Sequence, residues 1–128
     1  MRISTSSIPA AAPEAGLVLT KAAIRAADRL RVTARILATI IGVSEATISR
    51  MKRAEFALEP GTKPFELAVL FTRLFRSLDA IVGGDDAVAA AWLTQPNLAL
   101  AARPIEKIQS VIGLVDVIAY LDARRALV

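Results

Sequence analysis

The chain has 128 residues, 55% of them hydrophobic, which is enough for one domain or for two very small subdomains sharing a core. It holds no Cys and no His, which excludes disulfides, thiol catalysis and thiolate metal sites and removes the commonest general base and metal ligand; with no paired-carboxylate motif either, no enzyme activity, metal or cofactor is expected. Nine of the sixteen Lys/Arg and five of the twelve Asp/Glu lie between Met1 and Thr62, so the whole net charge of +4 sits in the first half, an excess that suits an anionic partner such as DNA but also fits a solvated helix face.

The opening, Met1 to Gly16, is rich in Ser, Ala and Pro. It lacks the basic start and apolar run of a secretory signal, so it reads as a disordered tail on a cytoplasmic protein. No apolar run approaches the roughly 20 residues of a membrane span. From there on Val, Ile and Leu recur at helical spacing, with no useful strand-like alternation. A first helix is predicted from Thr20 to Leu30, with Thr20 as N-cap and Ala23, Ile24, Ala27 and Leu30 inward. A second runs from Thr33, its N-cap, to Ile41, with Ile36, Leu37 and Ile40 inward and Gly42 ending it. A third opens at Ser44, carries Glu45 in its first turn, and reaches about Arg53. "EFALEPGTKP" reads as a linker with a Pro60-Gly61 turn.

Pro64 suits the first turn of a long helix with Leu67, Leu70, Phe71, Leu74, Leu78 and Ile81 as its stripe. Gly83-Gly84 stops it, and Asp85 caps a short helix ending near Trp92-Leu93. Pro96-Asn97 breaks the chain, and Pro104 starts another short helix with Glu106 in its first turn. Gly113 is expected to separate this from a final helix, Leu114 to about Ala126. The fold class is therefore all-α with about seven or eight helices. The domains are a tail at 1–16, a helix-turn-helix unit at 17–62 and a helical unit at 63–128.

"ARILATIIGVSEATISRMKR", Ala34 to Arg53, carries a helix-turn-helix pattern. Ala38 is small where two helices cross, and Gly42 falls where the turn needs positive φ. Leu37, Ile41, Val43, Ile48 and Met51 are apolar at the spacings that lock the pair. The third helix would then enter the major groove, presenting Ser44, Glu45, Ala46, Thr47, Ser49 and Arg50. Arg50 suits a bidentate contact with guanine, Glu45 a contact with cytosine, and Ala46 and Thr47 a thymine methyl. Ser44 and Thr33 at helix N-termini, with Arg35, Lys52 and Arg53, suit phosphates. A single such unit is small, so a symmetric dimer on a palindromic site is expected.

In the second half, Trp92 offers a plate for the broken segment after it, and Asn97 can satisfy backbone groups at the turn; with Pro96 and Pro104 these are structural residues. Leu114, Val115, Val117, Ile118 and Leu121 spread around most of the last helix, so one face can pack on the long helix while the rest needs another cover. Trp92-Leu93, Pro96-Asn97 with Leu98 to Leu100, Pro104-Ile105-Glu106, and a helix after Gly113 with Val117 and Leu121 together resemble the C-terminal toxin-binding domain of the Xre/MbcA/ParS antitoxins, which recurs beside RES-type toxins. The resemblance covers nearly everything from about Lys21 onward. Members often carry glycines where this chain has Ala101-Ala102-Arg103. The last helix is the candidate toxin-binding surface, through Leu114, Val117, Ile118, Tyr120, Leu121, Arg124 and Arg125, with a deeply buried core helix as the alternative. The resemblance implies that the polar end, Tyr120 to Arg125, docks near the active-site cleft of an NAD-consuming or NAD-transferring toxin.

The leading reading is thus an antitoxin that inhibits a RES-type toxin sterically and represses its own operon, alone as a homodimer or in a higher hetero-oligomer with the toxin. A helix-turn-helix repressor with a dimerisation or sensing domain is the alternative. Removal of the chain after Gly113 is expected to abolish protection and leave DNA binding.

Overall fold

The computed structural model describes the backbone of residues 3–127 and the side chains of residues 14–127. Among the described residues there are seven helices: α1 (Ile3–Arg29), α2 (Ala34–Ile41), α3 (Glu45–Lys52), α4 (Lys63–Ile81), α5 (Asp86–Thr94), α6 (Pro104–Lys107) and α7 (Val111–Arg125). No strand occurs among them; one isolated bridge joins Asn97 and Ala102. The all-α expectation is met.

Most helix starts follow from local chemistry. Thr33, Ser44, Thr62 and Asp85 each turn an extended backbone into a helix and accept a hydrogen bond from the N–H three residues on, which satisfies one of the donors that a helix start leaves free. Gly42 ends α2 with φ +78°, in the left-handed region that favours glycine.

Two starts differ from the sequence expectation. The helical backbone of α1 runs back to Ile3, through the stretch read as a disordered tail and past Pro9 and Pro13, which local propensity would not favour inside a helix. Thr20 is not an N-cap but lies inside α1, 2% exposed. Its hydroxyl donates to the Gly16 carbonyl at 2.6 Å and accepts from the Leu58 N–H at 2.8 Å, so it fastens the supposed linker to α1. Gly113 does not separate α6 from α7. It lies in the first turn of α7, which Ser110 caps. A Cβ there would fall inside contact distance of the Lys107 carbonyl oxygen, so the glycine is needed because α6 and α7 meet backbone to backbone.

α4 organises the molecule. α1 and α2 pack on it from one side, and α7 packs on it from another. One cluster of buried side chains therefore runs from Ala23 and Leu37 through Phe71, Leu74 and Leu78 to Leu114 and Leu121. The two parts separated in the sequence near Thr62 share this core, as a chain this short would favour. Polar contacts reinforce the same junctions. Arg29 of α1 reaches Asp79 of α4 and Asp86 of α5, both at 3.0 Å, and lies 4.8 Å from the centre of the Phe75 ring. Its hydrogen bond to Asp86 leads the causes that raise its pKa further. On the far side of α4, Asp122 of α7 accepts from Ser77 at 2.8 Å and from Arg73 at 2.6 Å. Removal of α7 would uncover α4, so truncation after Gly113 disturbs the whole fold and not one surface.

Candidate functional site

α2, the Gly42 turn and α3 form the helix-turn-helix. Leu37, Ala38, Ile41, Ile48 and Met51 are buried between them and their neighbours, and Val43 is half-buried. With that face fixed, α3 turns Glu45, Ala46, Ser49, Arg50 and Lys52 to solvent, and Ser44, Arg53, Thr33 and Arg35 are exposed beside them. Nine of the ten residues singled out for DNA are therefore on the open side of the unit.

Thr47 is the exception. It is 9% exposed, because positions 47, 48 and 51 share one face of the helix. Its backbone N–H donates to the Ser44 hydroxyl at 3.0 Å, and the two hydroxyls are also 3.0 Å apart. It therefore supports its neighbours and does not offer its methyl to a base. It also accepts from Nη2 of Arg50 at 3.3 Å. The guanidinium of Arg50 lies 5.2 Å from the centre of the Phe56 ring. Phe56 belongs to the stretch read as a linker, and no local sequence signal marks it as a neighbour of Arg50. Arg53 is paired with Glu55 at 3.1 Å. Part of the basic excess lies next to this surface: Lys21, Arg25 and Lys52 line a groove of about 520 Å³ between α1, α2 and the end of α3.

In the second half, Trp92 stacks on Tyr120 with ring centres 6.2 Å apart and planes 19° from parallel, so it joins α5 to α7. Asn97 behaves as its residue type requires at a chain break: its side chain accepts from the Leu100 N–H at 3.1 Å and its own N–H donates to the Ala102 carbonyl at 3.0 Å. Pro96 is exposed in that break, and Pro104 is buried at the first position of α6. Ala101 adopts φ +58°, a backbone that glycine takes with less strain.

The expectation for α7 needs a correction. Leu114, Val117, Ile118 and Leu121 are at most 4% exposed; they cover α4 instead of awaiting a partner. The apolar side chains that α7 leaves open are Val111, Ile112 and Val115, of which Ile112 is 77% exposed. The apolar residues of α7 exceed one face, as expected, but the surplus lies on Val111, Ile112 and Val115, because composition around a helix does not say which side its neighbour takes. Tyr120 is half-buried, and Arg124 lies over it, 5.7 Å from the ring centre and 3.3 Å from its hydroxyl. Arg125 turns towards α4, with Nη1 3.5 Å from the Ser77 hydroxyl.

Among the described residues no helix is long and apolar enough to cross a membrane, and no group of carboxylates is placed to hold a metal ion. Residues 9–73, half of the chain, match the family model of the antitoxin Xre-like helix-turn-helix domain. Residues 77–126 match that of the antitoxin Xre/MbcA/ParS C-terminal toxin-binding domain. No curated protein matches the chain. The first match extends past Thr62 into α4, where the structure also finds the two parts joined. The two adjoining matches identify the chain as a member of the Xre/MbcA/ParS antitoxin family, with its helix-turn-helix and toxin-binding domains on one polypeptide.

Proposed function

We propose that this antitoxin neutralises a RES-type toxin, one that consumes NAD or transfers ADP-ribose from it, by covering it sterically, and that it represses its own operon by binding a palindromic operator. It does so as a homodimer or in a larger assembly with the toxin. The observation that carries the reading is the toxin-binding domain matched directly behind a helix-turn-helix whose α3 is open to solvent. On the operator, Arg50 reads guanine through its planar fork of donors. Ser44, Glu45, Ala46 and Ser49 face the groove, while Thr33, Arg35, Lys52 and Arg53 meet phosphates. On the toxin, the contact surface is the exposed side of α7. Val111, Ile112 and Val115 supply apolar area at one end, and Arg124, held on Tyr120, supplies a charge at the other. An arginine fixed in this way suits an acidic group or a phosphate subsite in the toxin's cleft.

Coexpression with the product of the adjacent gene tests the pairing. The intact chain should copurify with a toxin of the stated class and restore growth. Ile112→Asp places a charge in the apolar contact and should weaken capture about 30-fold or more, the scale of a hot-spot loss, with the melting temperature unchanged. Failure to copurify with the neighbouring product removes the RES assignment. Full capture by Ile112→Asp removes this face of α7.

A further inference from the structure

The end of α3 is built to bring Phe56 back over Arg50. Ala54 takes φ +60°; its N–H donates to the Met51 carbonyl at 3.1 Å, and the Glu55 N–H donates to the Arg50 carbonyl at 2.8 Å. This is a Schellman end, formed with alanine where glycine is usual. It reverses the chain within two residues, and the Arg53–Glu55 ion pair at 3.1 Å spans the reversal. The next residue, Phe56, is thereby placed half-buried against the core with its ring 5.2 Å from the guanidinium of Arg50. The buried Thr47, itself bonded to the capping Ser44, accepts one N–H of the same guanidinium at 3.3 Å.

These two contacts use different parts of the arginine. The guanidinium carbon lies over the Phe56 ring at 5.2 Å, where a cation is attracted to the π cloud. Thr47 takes one in-plane donor. The other donors of the fork remain for a base edge, such as the N7 and O6 acceptors of guanine. A long side chain that is ordered before it meets its ligand loses less freedom on binding.

We propose that Phe56 is a positioning residue for base reading: its ring, with Thr47, holds Arg50 in the orientation that selects guanine, although Phe56 itself need not touch DNA. The inference rests on Arg50 reading a base, as argued above, and the experiment separates the two. The full chain is titrated against a labelled duplex of the intergenic DNA preceding its own gene, and against the same duplex with 7-deazaguanine at each guanine. The modified base lacks the N7 acceptor and keeps the rest of the pair. The measured quantity is the ratio of the two affinities, which a general loss of folded protein does not change. The wild type should prefer guanine, and Arg50→Ala should abolish that preference. Phe56→Leu should reduce the preference about two- to fivefold, the fold-change matching an exposed cation–π contact. Phe56→Tyr should restore it, and Phe56→Leu should have no further effect on the ratio in the Arg50→Ala background. An unchanged ratio in Phe56→Leu overturns the positioning role while leaving Arg50 in place. A preference that survives Arg50→Ala, or no preference in the wild type, overturns the base-reading assignment and this inference with it.

Discussion

Replacement of Gly113 by alanine sets two effects of opposite sign against each other. Within a helix, alanine is favoured over glycine by about 1 kcal/mol, so local propensity alone predicts a more stable protein. The surroundings predict the reverse. A Cβ at this position would lie 2.7 Å from the Lys107 carbonyl carbon and 3.0 Å from the Ser110 hydroxyl, and closer still to the Lys107 carbonyl oxygen. The first of these neighbours is main chain at the end of α6, so no side chain can rotate away to relieve the overlap. The start of α7 must lift from α6. Overpacking of this kind costs about 1–3 kcal/mol, at times more. The same shift strains the cap, in which the Gly113 N–H donates to Ser110 at 3.1 Å, and loss of a cap costs about 1 kcal/mol. The steric and capping losses exceed the propensity gain, for a net destabilisation of about 1–3 kcal/mol. In a chain of this size, each kcal/mol lowers the melting temperature by about 3–5 °C. A thermal melt followed by far-ultraviolet circular dichroism reads the change. If Gly113→Ala melts at or above the wild-type temperature, the close approach of α6 and α7 is refuted.

Two other predictions concern buried and half-buried polar groups. Thr20→Val keeps the shape of the side chain but leaves the buried Leu58 N–H without its acceptor, which should cost about 1–3 kcal/mol; Thr20→Ser keeps the acceptor, loses one methyl and should cost about 0.8 kcal/mol. Urea titration should therefore rank serine above valine, and the opposite order would remove the hydroxyl from its bridging role. The Asp122 carboxyl is held below the ordinary aspartate range, first by its hydrogen bond from Ser77 and then by Arg73. A depressed folded value means that its contribution is present above the unfolded pKa, near 3.9, and is lost as the pH falls through the folded value. Ser77→Ala, which removes the leading cause, should raise the pH of the acid unfolding midpoint; an unchanged midpoint would leave Asp122 without a part in acid stability.

The legible features of this chain were those decided within a few residues. Thr33, Ser44 and Asp85 cap their helices because a hydroxyl or carboxylate three residues before a free N–H has little else to do. The helix-turn-helix was legible because small, glycine and apolar positions had to agree at once, and nine of its ten proposed contact residues are exposed. Thr47 was misjudged because a polar side chain on a helix flank can serve its own neighbours as well as a ligand. What escaped was set by distant residues. Thr20 looked like a cap until Leu58, far along the chain, claimed its hydroxyl. Gly113 looked like a break until α6 was found against it. Leu114, Val117, Ile118 and Leu121 were read as partner-facing, whereas α4 takes that side and leaves Ile112 outside. Phe56 carried no signal, because only the reversal at Ala54 brings it to Arg50.

The shared α4 limits how such a protein can be recombined. A hybrid spliced near Thr62 would inherit a central helix shaped for only one of its two new neighbours, with Phe71, Leu74 and Leu78 facing surfaces they were not fitted to. A transplant from a relative must therefore keep the receiver's own α4 and exchange only exposed side chains, such as those of α3. The same limit holds for α7, where only the outward side, with Val111, Ile112 and Val115, can change without disturbing the packing on α4.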